Sequence, residues 1–499
     1  MKERLTGRIS KTPAHMVHEE VLEPQFTYEV EYLLPAYIQI EQVMLLEYVR
    51  MEWITKQEAQ SLSLLLQSIN RDTLVADPKS NMSDIAFAIE RRVESSLAEP
   101  VSCWHMDRSR NDFQACAQIM FGRTQWLELM GCLQELIKSM YIIADRYREM
   151  PMPGHTHFQS AQIITPGFYL SSVNEELLQA LVRWVQIYDE LNQCPLGSGA
   201  MAGVELDWNR ERLASLLGFS RARPSALVAV ASREWVLRIS AELSIFSVLI
   251  SRLVTDLIQW GSSEMSFIDL PDQLSGISSA MPQKKNFPIL ERIRGKSAHL
   301  SAFHLDMVLG QRNTPFTNLV ETSKEAGTHL LTLFHTTKSL LRLLKTVVDH
   351  LNFNEERMLR ICKRDFFGGF TLANLLTMQT GIPYRKAQVI VGRYIMSAVQ
   401  RGLAPSEGDP QLLAEMCVEE GFEVSNLNHL LKVAFDIRKS LYMKNSSGST
   451  HPEKVLELLL AQKERAQSLG KEIDERTSYL YAADMKRERL LDKLGSTKR

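Results

Sequence analysis

Trp235-Val-Leu-Arg-Ile-Ser-Ala-Glu-Leu-Ser-Ile-Phe-Ser-Val-Leu-Ile-Ser-Arg-Leu-Val-Thr-Asp-Leu-Ile-Gln-Trp260 is the most apolar helical stretch of the chain, and its reading decides the fold class. It is long enough to span a membrane, yet it carries Arg238, Glu242, Arg252 and Asp256. Charges are costly in hydrocarbon, so the run is expected to be a helix buried in protein. Apolar residues recur at the same helical spacing over 33–51, 113–148, 167–192, 289–309 and 325–351. Alternating strand patterns are nearly absent, and long apolar helices with short joins predict an all-α bundle.

Outward from this run, the breaks fall at Pro151-Met-Pro-Gly154, Pro195-Leu-Gly-Ser-Gly199, Asp269 through Pro288, and Asn445 through Pro452. A softer boundary lies near Ile361 to Gly369, where Phe-Phe-Gly-Gly interrupts the helical rhythm. From Ala461 onward, Lys/Arg and Glu/Asp repeat at helical spacing, which reads as a solvated helical tail. At 499 residues the chain is long enough for two or three domains or one elongated helical body.

Lys plus Arg (57) nearly cancels Asp plus Glu (59), so no global field attracts nucleic acid or an anionic membrane, and a small-molecule site is favoured. The six cysteines show neither metal spacing nor a disulfide framework, and the N-terminus lacks the apolar stretch of a signal peptide. A reducing cytoplasm is the expected location.

Four polar segments stand apart from the helical pattern. The first, His105-Met-Asp-Arg-Ser-Arg-Asn-Asp112, precedes a long helix; Asn111 and Asp112 suit capping, while two arginine forks, Ser109 and helix amides would also cradle a carboxylate. The second, Pro153-Gly-His-Thr-His-Phe-Gln159, holds a His-x-His pair with no third ligand at suitable spacing, so proton transfer is favoured over a metal. The third, Cys194-Pro-Leu-Gly-Ser-Gly-Ala-Met-Ala-Gly203, lacks the Gly-Lys-Ser/Thr ending and preceding strand of a phosphate loop, leaving a turn for close backbone approach. The fourth is Ser275-Gly-Ile-Ser-Ser-Ala-Met-Pro-Gln-Lys-Lys-Asn286. Loops this long inside a compact fold are usually functional, and its hydroxyls and cations suit a lid over a carboxylate.

Ser278-Ser-Ala-Met-Pro-Gln-Lys-Lys-Asn286 resembles the signature of the fumarase/aspartase superfamily, and within it the argininosuccinate lyases. Arg108-Ser-Arg-Asn-Asp112, Met152-Pro-Gly-His-Thr-His-Phe-Gln159, Pro195-Leu-Gly-Ser-Gly199, Glu291-Arg-Ile-Arg-Gly-Lys296, Gly381-Ile-Pro-Tyr-Arg-Lys-Ala-Gln388 and Ser447-Gly-Ser-Thr-His-Pro452 extend the match to about Leu460.

The resemblance implies three mostly helical domains with a central long-helix bundle. Their expected bounds are 1–112, 113–360 with a catalytic loop at 272–288, and 361–460, followed by the tail at 461–499. It also implies a homotetramer whose active sites each combine segments from three subunits, with neither metal nor organic cofactor. By resemblance, Ser278 is the base, His157 the candidate acid and Glu291 the carboxylate partner of His157. Ser109, Arg110, Asn111, Thr156, Gln159, Lys284, Asn286, Arg233 and Lys324 would bind substrate.

The expected reaction is β-elimination from argininosuccinate or another N-substituted aspartate, releasing fumarate. The competing reading is a catalytically silent structural or interaction protein on the same fold. The segments that meet the arginine half in the family depart from its pattern: Ser225-Ala226, Phe316-Thr317, Glu321, Ala86 and Met106-Asp107 replace family residues. The stretch 21–32 also lacks the family's Asn-x-Ser and spaced Asp. Asp84, Asp107 and Glu321 are the carboxylates expected to suit a cationic leaving group.

Overall fold

A computed structural model describes residue 8 and residues 11–495; most of the N-terminal stretch read for a signal peptide lies outside them. The main helices are α1 (Glu23–Tyr32), α2 (Leu34–Arg50), α3 (Lys56–Gln67), α4 (Ile85–Glu94), α5 (Arg110–Arg146), α6 (Pro166–Leu191), α7 (Arg210–Leu216), α8 (Glu234–Trp260), α9 (Pro288–Gln311), α10 (Leu330–His350), α11 (Glu355–Arg364), α12 (Gly369–Thr380), α13 (Tyr384–Gln400), α14 (Pro410–Glu419), α15 (Leu427–Ala434) and α16 (Pro452–Gly495). Strands occur only as short pairs among the described residues: β1 (Met152–Thr156) with β2 (Gln159–Ile164), β3 (Gln193–Cys194) with β4 (Arg221–Ala222), β5 (Ile268–Asp269) with β8 (Asn352–Phe353), and β6 (Gly276–Ile277) with β7 (Lys285–Asn286).

α5, α6, α8, α9 and α10 form the bundle, packed through a continuous apolar core. Ser109 starts α5 by accepting from the Asn111 amide, and Thr165 starts α6 by accepting from Phe168, with Pro166 in the first turn where its missing N–H costs nothing. Trp126 donates its indole N–H to the Trp184 carbonyl at 2.7 Å, so a large aromatic enters the core without an unpaired donor. Two of the charges that argued against a membrane span have cross-helix partners: Arg183 Nε contacts both Glu242 oxygens at 3.0 Å, and Tyr169 donates to Asp256. Among the described residues, no helix is long and apolar enough to cross a membrane.

The helix expected over 325–351 begins only at Leu330, after a short helix at Val320–Ser323 and a tight turn at Glu325–Gly327. The break leaves the Ser323 carbonyl free to accept from Gln118 at 2.7 Å, and it sets Lys324 outside any regular helix. A separate core, from Leu372 to Ala434, unites α12 through α15.

The expected solvated tail is helical but packed. α16 is 44 residues long and lies against α6, α5, α3, α2 and α7. Leu459, Leu469, Ile473, Ala483, Leu491 and Leu494 are buried, and Gln462 exchanges hydrogen bonds with Asn174 and the Ser171 carbonyl. Arg476 grips Asp189 with both arms of its fork, at 2.8 and 2.7 Å. Several of its charges, Arg465, Arg476 and Arg487 among them, are partnered by the rest of the fold, while the apolar stripe beneath is narrow. Deleting residues 461–499 therefore uncovers the bundle rather than removing a free arm. At about 1.5–3 kcal/mol per large side chain buried, the truncated protein should lose several kcal/mol of stability, read as a lower midpoint in urea unfolding.

Candidate active site

The polar segments gather at two ends of the bundle. At the start of α5, Asn111 donates its side-chain N–H to the Ala200 carbonyl at 3.0 Å. Asp112 is buried and its Oδ2 accepts from the Gly197 and Gly199 amides, at 2.9 and 3.0 Å. This ties the glycine loop to the helix. Gly199 has φ +61°, and a Cβ there would lie 2.4 Å from the Gly203 carbonyl oxygen, so only glycine fits. Burial pushes the Asp112 carboxyl up to about 7, opposed by the two glycine amides.

Both arginine forks of this segment are already engaged. Arg108, its side chain only 4% exposed, pairs with Glu41 at 2.5 Å and lies over the Phe113 ring. Arg110 pairs with Asp84 at 2.8 Å and lies over Phe87. The two-fork carboxylate cradle expected from sequence is thus reduced to Ser109, Asn111 and the half-exposed Arg110. Asp84 is spent on Arg110, and Asp107 accepts from the amides of Glu205 and Leu206 and from the Trp208 indole. Those two carboxylates are structural.

Farther along the same face of α5 lies a cleft of about 390 Å³, whose lining includes Glu20, Glu29, Gln118, Arg233, Lys324 and Glu325. Asn111 and Gln118 are seven residues, two helical turns, apart, or about 10 Å. Lys324 Nζ lies 2.5 Å from Glu29 Oε1, and Glu29 is only 4% exposed. Arg233, 3% exposed, donates to Gln118 and to the carbonyls of Val230 and Ser232. Burial lowers its guanidinium to about 10. Glu321 is exposed and does not line this cleft.

The other polar groups lie at the far end of α5, where Tyr147, Trp260 and Phe353 pack together. The β1–β2 hairpin turns through His157 and Phe158, at φ +53° and +59°. Neither is a glycine, so the turn holds about 1–2 kcal/mol of strain per residue and projects an exposed imidazole. Thr156 and Gln159 flank it, also exposed. Ser160 donates to Asp365 at 2.5 Å, fixing the hairpin to the segment after α11. Burial lowers the basicity of His155. Among the described residues, no group of three or more His, Cys, Asp or Glu could hold a metal ion.

The lid is a small hairpin, β6 against β7, with Ser278 beyond its first strand. Ser278 Oγ accepts from the Met281 amide at 3.1 Å and the Ala280 amide at 3.4 Å. Two N–H dipoles aimed at that oxygen favour negative charge on it. Lys285 is held by Asp269 and Asp272 at 3.0 and 3.2 Å, anchoring the lid base. Among the described residues, neither Lys284 nor Glu291 has an ion-pair partner, and no ion pair joins Glu291 to His157. Phe287 abuts Gly261, where a Cβ would come within 2.9 Å of its ring.

Sequence reading missed two groups. Asp112 was assigned to capping, though a carboxylate followed by glycine-rich chain also suits loop anchoring. Glu29 occupies an apolar helix face with Phe26, Val30 and Leu33, and a charge at that spacing marks a buried partner.

The chain matches the lyase family pattern over residues 33–301. It is 30% identical to the argininosuccinate lyase of Methanothermobacter thermautotrophicus over 405 residues, 81% of this chain and 86% of that protein. It is 31% identical to the argininosuccinate lyase of Methanothrix thermoacetophila over 401 residues, 80% and 81% of the two chains. Argininosuccinate lyase 1 of Shouchella clausii is similar over 487 residues, 96% of this chain and 97% of that one, at 26% identity. Among solved structures, EDDS lyase in complex with formate shares the fold with a TM-score of 0.84 at 22% identity, covering 98% of this chain and 97% of that one. Class II fumarase from Schistosoma mansoni follows at 0.67 and 16%, covering 83% and 94%. The chain belongs to the lyase family that includes the argininosuccinate lyases, and it is a carbon–nitrogen lyase releasing fumarate. A match over 98% of the chain runs into residues 461–495, so the likeness does not stop at Leu460 as the motifs alone suggested.

The raised Asp112 carboxyl has a measurable consequence. The folded chain keeps this proton up to about pH 7 whereas the unfolded chain releases it near 4, so this contribution to stability is present at low pH and lost as pH rises through 7. Asp112→Asn keeps an oxygen for the glycine amides and removes the titration. Between pH 5 and 8 wild type should lose more thermal stability than the variant; equal changes in melting temperature would show that Asp112 is ionised throughout.

Proposed function

We propose that the substrate is an N-substituted aspartate, argininosuccinate among the candidates, cleaved by β-elimination. Ser278, as alkoxide, takes the carbon-bound proton; the electron pair forms the double bond of fumarate as the carbon–nitrogen bond breaks, and His157 returns a proton to the departing nitrogen. The observation that carries this reading is the pair of amides donating to Ser278 Oγ, because an unassisted hydroxyl is too weak a base. Lys284 and Asn286 stabilise the carboxylate as negative charge accumulates, while Ser109, Arg110, Asn111, Thr156 and Gln159 hold the succinyl group. Arg233 and Lys324 belong to the leaving-group side, and Glu291, which makes no ion pair with His157 within one chain, is assigned to orient and support it in the assembly.

This reading requires assembly. α5 spans 37 residues, about 55 Å, between the Ser109 end and the His157 end. One copy cannot bring both to one substrate, so we also propose a homotetramer in which neighbouring copies supply opposite ends to each site. The division at 112, 360 and 460 is proposed with it, supported in part by the separate core from Leu372 to Ala434.

Incubation with argininosuccinate and a panel of N-substituted aspartates, following fumarate absorbance, tests the chemistry. At least one should yield fumarate, and Ser278→Ala should lower its rate by about 10²–10⁴-fold; an unimpaired variant would remove Ser278 as base. For the assembly, Asn111→Ala and Ser278→Ala, each inactive alone, should regain part of the activity when unfolded and refolded together. No recovery in mixed oligomers would mean that both groups act from one chain.

A further inference from the structure

The cleft beside α5 is built from carboxylates and cations whose pairing within the chain narrows what can occupy it. Its lining carries three carboxylates, Glu20, Glu29 and Glu325, against two cations, Arg233 and Lys324. Neither cation is free. Lys324 is paired with the buried Glu29, whose same oxygen also accepts from Gln25 at 3.1 Å. Arg233 directs its guanidinium to Gln118 and to two backbone carbonyls, and its remaining unpartnered nitrogen is sealed from solvent. Among the described residues, Glu20 and Glu325 have no ion-pair partner, and both are exposed at the cleft. A ligand entering here therefore meets two exposed, unpaired carboxylates, whereas the positive side is Lys324, already paired with Glu29, and Arg233, which has no carboxylate partner but is buried against uncharged acceptors.

We propose that Glu29 determines the leaving-group class. By neutralising Lys324 it rejects an amine half bearing its own carboxylate and selects a cationic aminoalkyl chain, so the preferred substrate is the adduct of aspartate's succinyl skeleton with a diamine. This rests on the lyase reading above. The succinyl group sits at Asn111, and the cleft opens about 10 Å along the same helix face, where the distal ammonium of such a chain meets Glu20 and Glu325. A ligand carboxylate there would have to displace Glu29 from Lys324, leaving a buried carboxylate uncompensated.

Amines differing only in a carboxylate test this: putrescine against ornithine, and cadaverine against lysine, each added to fumarate by the wild-type enzyme in the reverse reaction. Putrescine and cadaverine should react with kcat/KM about tenfold or more above their carboxylated counterparts. Glu29→Gln should collapse or invert that ratio. Adding Lys324→Met should abolish the gain for ornithine and lysine, because the cation that Glu29→Gln had released is gone. General loosening of the cleft lowers both members of a pair and leaves their ratio unchanged, so an unchanged ratio in Glu29→Gln counts against Glu29. Should that variant fail to fold, wild type alone decides: ornithine or lysine reacting as fast as its decarboxylated partner overturns the inference while leaving the lyase reading intact. If no amine adds to fumarate and no aspartate derivative is cleaved, the substrate reading itself fails, and this inference with it.

Discussion

A helix as long as α5 is stiff, and its two ends are held about 55 Å apart by one unbroken ladder of backbone hydrogen bonds. The grip proposed for one carboxylate lies at its first turn, where Ser109, Asn111 and the Asp112-pinned glycine loop meet. The strained His157 turn follows its last turn, and the Ser278 lid lies at that same end. A chain that needs both ends at one substrate can meet the requirement only between copies, so the length of one helix links fold, assembly and chemistry.

The bundle keeps that helix in place by partnering polar groups rather than excluding them. Arg123 is buried inside it, yet it donates to Asn192 and to the carbonyls of Leu217 and Gly218 while covering the Phe219 ring. This fastens the segment after α6, and with it the glycine loop, to the middle of α5. A guanidinium left without those acceptors would be very costly in the core. The same pattern repeats with Glu242 on Arg183 and with Gln462 on Asn174.

Much of this was legible in the residues. Helical periodicity located α2, α5, α6, α8 and α9 to within a few residues, because each has a wide apolar face. Periodicity could not find the turn at Glu325–Gly327 that delays α10 to Leu330, just after a Ser323 carbonyl that accepts from a side chain 205 positions away. Nor could it show that α16 packs: its charges look solvated until Asp189, Glu175 and Gln42 are placed opposite them. The motifs named the candidate site residues, but not their distribution. His157 and Asn111 look like parts of one pocket in sequence and stand at opposite ends of one chain. The carboxylates expected to suit a cation hid their partners for the same reason: Asp84 and Asp107 find theirs only through tertiary contacts, whereas Glu20, Glu29 and Glu325 converge from segments some 300 residues apart.

That convergence separates two kinds of heritable change. Glu29 sits on α1, a ten-residue helix outside the bundle, whereas Ser278 and His157 sit on hairpins at the opposite end. On the proposed assignments, substitutions in α1 redraw which amine is accepted, while proton abstraction rests on different elements of the chain. On that reading the nitrogen donor can be changed at a peripheral helix while the residues proposed for the elimination are left as they are.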